Sequence, residues 1–135
     1  MTQEDKELLL RDLTARLSYG VKGIITYDKS NTTFIVEGID NNVLHLSDAE
    51  DCYVEDFKPY LRPMSSMTEE EYTNLCISCT WLWFENDLRT VTHGDHKCYD
   101  WLNKHHFDYR GLIPMGLAID CTKLDIDIYD SSIKV

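Results

Sequence analysis

The sequence predicts an α+β fold: an N-terminal helix, a small antiparallel β meander, two helices in the C-terminal half and a last edge strand. Three observations carry this. Leucines recur at helical spacing between Glu4 and Leu17, residues 21–54 alternate with period two between Asp/Asn-rich turns, and Thr68 with Glu71 spells a capping box before a second helical stretch.

The first helix places Leu9, Leu10, Leu13 and Leu17 on one face and Arg11, Asp12 and Arg16 on the other, and Gly20 stands where it stops. From Val21 the period changes. Val21, Gly23, Ile25 and Tyr27 alternate with Lys22, Ile24 and Thr26 up to the turn Asp28-Lys29-Ser30-Asn31. Thr32 to Ile39 reads as a second strand, Asp40-Asn41-Asn42 as a turn that tolerates positive φ, Val43 to Leu46 as a third strand and Cys52 to Val54 as a fourth. Such a meander is compatible with an SH3-like barrel, and the period leaves closure open. Phe57 to Pro63 carries Pro59 and Pro63 and reads as a rigid connector, neither helix nor central strand.

At Thr68 the capping box is backed by Met67 and Tyr72 as a hydrophobic staple and by Glu69 and Glu70 near the positive end of the helix dipole. The spacing predicts a helix to about Leu88 with two apolar stripes: Tyr72, Leu75, Cys76, Cys79 and Trp83, and opposite them Ile77, Trp81, Phe84 and Leu88. One stripe meets the sheet; the other needs a cover, from a neighbouring helix or another molecule. After Thr92-His93-Gly94-Asp95, residues Cys98, Trp101, Leu102 and His105 fit a shorter helix. Gly111, Pro114 and Gly116 punctuate the next segment, and Leu124-Asp125-Ile126-Asp127-Ile128 alternates as an edge strand with one acidic face. The elements predict one domain over residues 1–135, with a division near Pro63 as the alternative.

A chain of 135 residues, 43% hydrophobic and 27% charged, is long and apolar enough for a sizeable core. Thirteen Lys and Arg against twenty-four Asp and Glu give a net charge of −11, the wrong sign for coating phosphates, which argues against nucleic acid as the main partner. Five cysteines without disulfide-framework spacing, and no basic segment leading into a signal core at Met1 to Asp5, favour a reducing cytoplasm. The apolar runs fall far short of the roughly 20 residues that cross a bilayer, so no membrane partner is expected.

Three segments carry a resemblance. They are Lys6-Glu7-Leu8-Leu9-Leu10-Arg11-Asp12-Leu13 with Ala15-Arg16-Leu17 and Tyr19-Gly20-Val21-Lys22; then the stretch from Lys58-Pro59-Tyr60-Leu61-Arg62-Pro63 through Met64-Ser65-Ser66-Met67 to Thr68-Glu69-Glu70-Glu71; and Asp100-Trp101-Leu102-Asn103 with Phe107-Asp108-Tyr109-Arg110-Gly111-Leu112-Ile113. Over about half of its length the chain thereby resembles a family of small uncharacterised proteins encoded by phages, prophages and other mobile elements of anaerobic gut bacteria. It departs from that family at Thr14 and Ser18, where Cys and Pro are frequent, and across the meander. The resemblance implies a mobile-element origin and no activity, cofactor or catalytic residue.

Four constellations could carry chemistry. Cys76, Cys79, His93 and His96, with Cys98 and His105 nearby, follow a finger-like order, but the histidines stand too close and the cysteines fall inside the predicted helix. The favoured reading is buried, unligated thiols and no metal. His105, His106, Asp108 and Arg110 could form an acid–base site acting on a phosphate; adjacent helical histidines diverge by about 100°, and the preferred reading is a helix C-terminus, with Asp108 bonded to backbone or Arg110 and Gly111 left-handed. Asp48, Glu50, Asp51, Glu55 and Asp56 form an acidic run that solvation explains and that could also steer a basic partner. Trp81, Trp83 and Phe84 cannot share one helix face, and core packing on both sides is the simplest account. Trp81 and Phe84 also suit an interface, with a host or phage protein or in a homodimer. The expected function is a non-catalytic, acidic protein-binding module without cofactor, contacting an unidentified protein through Asp48, Glu50, Asp51, Glu55, Asp56, Trp81 and Phe84. A small phosphate-directed enzyme and a nucleic-acid-binding barrel are the alternatives.

Overall fold

The computed structural model describes residues 1–79, 82–85, 90–124 and 128–129, with 82–85 and 90–94 as backbone only. Helix α1 (Gln3–Arg16) opens at Thr2, whose hydroxyl accepts from the Asp5 N–H, and passes through a 3₁₀ turn at Leu17–Tyr19 into Gly20 at φ 68°. The meander follows: β1 (Lys22–Ile25), β2 (Phe34–Asp40), β3 (Val43–Leu46) and β4 (Cys52–Tyr53), each antiparallel to the one before it. Asn41 takes φ 56° in the turn between β2 and β3.

A 3₁₀ turn at Val54–Asp56 leads into β5 (Phe57–Leu61), and here the structure corrects the connector expected from the prolines. β5 pairs antiparallel with β1 and parallel with β8 (Ile119–Asp120), inside a six-stranded sheet of order β4-β3-β2-β1-β5-β8. Pro59 fits because the β8 ladder begins only at Tyr60, so a neighbour on one side suffices where the N–H is missing. Gly23 lies opposite Pro59, and a Cβ there would stand 2.5 Å from the Phe57 ring, so the close β1–β5 approach requires glycine. No ladder joins β4 to β8 among the described residues. The last strand expected at Leu124–Ile128 falls largely outside them.

After a 3₁₀ turn at Met64–Ser66, α2 (Glu69–Ser78) begins with the expected capping box: Glu71 N–H donates to Thr68 Oγ1 at 3.1 Å, and Glu71 Oε1 accepts from Thr68 N–H at 2.9 Å. The helix ends ten residues short of Leu88. Cys79 is already extended, and β6 (Leu82–Glu85) pairs antiparallel with β7 (Thr90–Gly94) as a separate hairpin. The opposed apolar stripes therefore do not exist as helix faces: Ile77 is 77% exposed near the helix end, and Phe84 belongs to a strand. Helix α3 (His96–Lys104) is capped by Asp95, which accepts from Cys98 N–H.

Two apolar clusters result. One joins Leu9 and Leu13 of α1 to Val21, Val36, Leu44, Phe57, Leu61 and Leu112, and the other gathers Met64, Met67, Leu75, Cys98, Leu102 and Phe107. The 128–129 segment seals the β1–β5 seam: Tyr129 Oη accepts from Lys22 N–H at 2.7 Å, donates to Tyr60 O at 2.8 Å, and its ring stacks on His106 at 3.5 Å. Among the described residues no helix is long and apolar enough to cross a membrane.

Candidate functional site

The acidic run flanks a sheet edge. Among the described residues β4 pairs with β3 alone; Asp48, Glu50 and Asp51 occupy the loop entering it, and Glu55 and Asp56 the turn leaving it. Two of the five acids have a basic side chain beside them: Glu55 pairs with Lys6 at 2.6 Å, and Asp51 Oδ1 lies 2.9 Å from His45 Nδ1. Asp48 and Glu50 are exposed and form no ion pair among the described residues. The field of this run is felt inside: burial pushes the Cys52 thiol up to about 11, and the charges of Asp56 and Asp51 add to the shift. Between the acids, Tyr53 stands 59% exposed on the edge strand. Sequence reasoning passed over it, although an aromatic residue bracketed by carboxylates was a visible signal.

Trp81 lies outside the described residues, and Phe84 sits in β6, where only backbone is described. The shared helix face that would have joined them is absent because α2 has ended.

The cysteine expectation also needs correction. Cys76 is exposed on α2 and Cys79 is half-buried at its end, whereas Cys98, which joins the α2–α3 cluster, is buried. Cys76 sits inside α2, about 100° round the helix from buried Leu75 and so off the covered face. His96 is exposed, and no group of three metal-binding side chains occurs among the described residues. Burial raises the thiol pKa of Cys79 and Cys98, which keeps both protonated and weakly nucleophilic at neutral pH.

The four polar residues after α3 diverge. His105 lies on the Trp101 ring at 4.2 Å, and burial lowers its pKa, favouring neutral imidazole. His106 is 6% exposed at φ 63° and stacks on Tyr129. The Asp108 carboxylate accepts the N–H groups of Leu112 and Ile113, each at 2.8 Å, and Gly111 is left-handed at φ 77°. Arg110 turns to Asp12 at 2.8 Å. Asp108 is thus committed to backbone N–H groups and Arg110 to Asp12. The helix-terminus reading describes them.

Arg110 leads to a centre that the sequence reading placed on the solvent side of α1. Asp12 and Arg16 are both fully buried. Asp12 Oδ2 takes Arg16 Nε at 2.9 Å and Oδ1 takes Arg110 Nη1, while Arg16 Nη2 donates to the Phe107 carbonyl at 2.5 Å. Arg16 Nη1 is buried with no hydrogen-bond partner among the described residues. Two guanidiniums on one carboxylate leave an excess positive charge between α1 and the segment after α3. The spacing Asp12–Arg16, four apart on one helix, was a readable ion-pair signal; its burial follows from packing against residues some ninety positions away.

No family model matches the chain, and no curated protein or solved structure matches it.

Proposed function

We propose that this chain is a non-catalytic binding module that engages a basic surface of a partner protein through its β4 edge. One observation carries the reading: Tyr53, 59% exposed on an edge strand, is bracketed by five carboxylates, of which Glu55 is paired with Lys6 and Asp51 lies against His45. Exposed charges of one sign steer a partner of the opposite sign and raise its association rate. An amphipathic ring at the centre of such a field supplies the apolar anchor that sets residence time. Tyr53 thus takes the part that the sequence suggested for Trp81 and Phe84. The two-residue length of β4 and its acids suit a recognition edge that resists self-pairing. A mobile-element origin, which the resemblance implies, suits a modulator of a host nucleic-acid or defence protein, whose phosphate-binding groove is basic.

The test is capture of host proteins on the immobilised chain, followed by kinetics on the purified partner. Replacing Asp48, Glu50, Asp51, Glu55 and Asp56 by Asn, Gln or Ser should slow association and flatten its salt dependence, since these charges are screened over roughly 8 Å at physiological salt. Tyr53→Ala should act mainly by faster dissociation, and its exposure means that folding is retained. A partner held with unchanged rates by both variants would refute the edge as the contact.

A further inference from the structure

A second surface has the opposite character. Between α1 and α3 lies an open cleft of about 700 Å³, lined by Arg11, Tyr99, Asp100, Asn103, Tyr109 and Arg110 among others. Small-molecule sites commonly have this volume. In a chain of net charge −11, two guanidiniums in one cleft are conspicuous. Arg11 is exposed and has no ion-pair partner among the described residues. Arg110 spends one nitrogen on Asp12, but Asp12 is already shared with the buried Arg16, so the floor keeps an excess positive charge.

The remaining walls are not those of a simple anion hole. The rings of Tyr99 and Tyr109 stand 5.1 Å apart at 48°, and the Arg110 guanidinium covers the Tyr109 ring at 4.6 Å, which leaves Tyr99 as the aromatic wall for a visitor. Tyr109 Oη donates to Asn103 Oδ1 at 3.0 Å, and Asn103, largely buried where it lines the cleft, keeps its amide N–H groups without a partner among the described residues. Asp100 accepts from Tyr19 Oη at 2.6 Å through one oxygen, and the other can accept from a hydroxyl.

We propose that this cleft binds a nucleoside monophosphate, with its phosphate on Arg11 and Arg110, its base against Tyr99 and its ribose hydroxyls at Asp100. Guanidinium forks match phosphate oxygens in geometry and charge, and a base stacks on any exposed aromatic face. The Asn103 amide supplies donors to the base edge, as side-chain amides do elsewhere. A polynucleotide is repelled by the net charge, whereas a single phosphate meets only the local field of the cleft. The site is independent of the β4 edge, so either can fail alone.

The experiment is a titration of the full chain followed by amide NMR, using AMP, adenosine and inorganic phosphate as separate probes. AMP should bind saturably, with shifts centred on residues 11–15 and 96–110, and about tenfold more tightly than either fragment. Arg11→Glu should weaken AMP by about tenfold or more, the loss expected for a charge-assisted hydrogen bond. Arg11→Gln should do the same to a smaller extent. Tyr99→Ala should erase the advantage of AMP over phosphate while leaving phosphate binding in place. AMP binding no tighter than phosphate, or unchanged in both folded Arg11 variants, would overturn the proposal.

Discussion

The cluster beneath α1 and the cluster around Phe107 differ in composition and in what completes them. The first is aliphatic in the main, with Leu9, Leu13, Val21, Val36, Leu44, Val54 and Leu61 packed on Phe57, and backbone ladders satisfy its strands. The second is smaller and mixed: two methionines, a cysteine, Leu75, Leu102 and Phe107 inside a rim of Tyr72, Tyr99, Trp101 and Tyr109. Its order comes from directed contacts. Arg62 holds Glu71 through two hydrogen bonds of 2.5 and 2.8 Å and lies over the Phe107 ring at 4.2 Å, and Trp101 stacks on that ring at 5.8 Å. Apolar area is non-directional and tolerates repacking, whereas a charged network has one arrangement and fails when a member is lost. The Asp12–Arg16–Arg110 centre, buried at Asp12 and Arg16, sits where the two regions meet, because Arg16 also reaches the Phe107 carbonyl.

That contrast sets an order of sensitivities. Asp12→Ala leaves two guanidiniums without their carboxylate and should cost about 4 kcal/mol in urea unfolding. A cost near that of an ordinary surface change would show that the junction contributes little. Gly23→Ala tests the aliphatic region at its tightest point, where the new methyl meets Phe57 and the Lys58 carbonyl, and should cost about 3 kcal/mol. If it is tolerated, the β1–β5 approach is looser than its geometry implies.

Acid should separate the regions next. The hydrogen bonds from Arg62 hold the Glu71 carboxyl down from 4.5 to about 2, with the Thr68 N–H adding to the effect. A depressed folded value means that this stabilisation is full above pH 4.5 and is lost as pH falls from there toward 2. Allowing for solvent screening at a side chain that is 22% exposed, it is worth about 1 to 2 kcal/mol. Arg62→Gln should remove that part of the acid dependence, as read by unfolding midpoints across the range; an unchanged profile would move the acid sensitivity elsewhere. The smallest effect is at the cap, where Thr68→Ala should cost about 1 kcal/mol and lower the denaturant midpoint with little change in slope.

Legibility followed the same divide. Local signals were readable: the leucine spacing of α1, the Asn41 turn, the Thr68–Glu71 box and the end of α3 at His105 and Gly111. Long-range pairing overruled local reading elsewhere. Pro59 argued against a central strand, yet β5 pairs with β1 over Phe57–Pro59 and with β8 only from Tyr60. Apolar residues at helical spacing carried the second helix too far, although Asn86-Asp87 between an aromatic run and Thr90-Val91-Thr92 had the form of a hairpin. Asp12 and Arg16 looked solvated because nothing within α1 reveals Phe107 and Arg110. For the candidate site, the acids were legible as a run, but the edge position that makes Tyr53 available is a property of strand order.

The Arg16–Phe107 hydrogen bond also has a meaning in time. During synthesis α1 leaves the ribosome before the sheet and α3, and the carbonyl that receives Arg16 and the guanidinium that shares Asp12 lie 91 and 98 residues further along. Until those residues emerge, burying α1 against the growing sheet would strand an ion pair with half of its partners missing, so the nascent helix is better left hydrated. Helix α1 is therefore made well before it is locked, and it waits for Phe107 and Arg110 instead of docking as an N-terminal instalment.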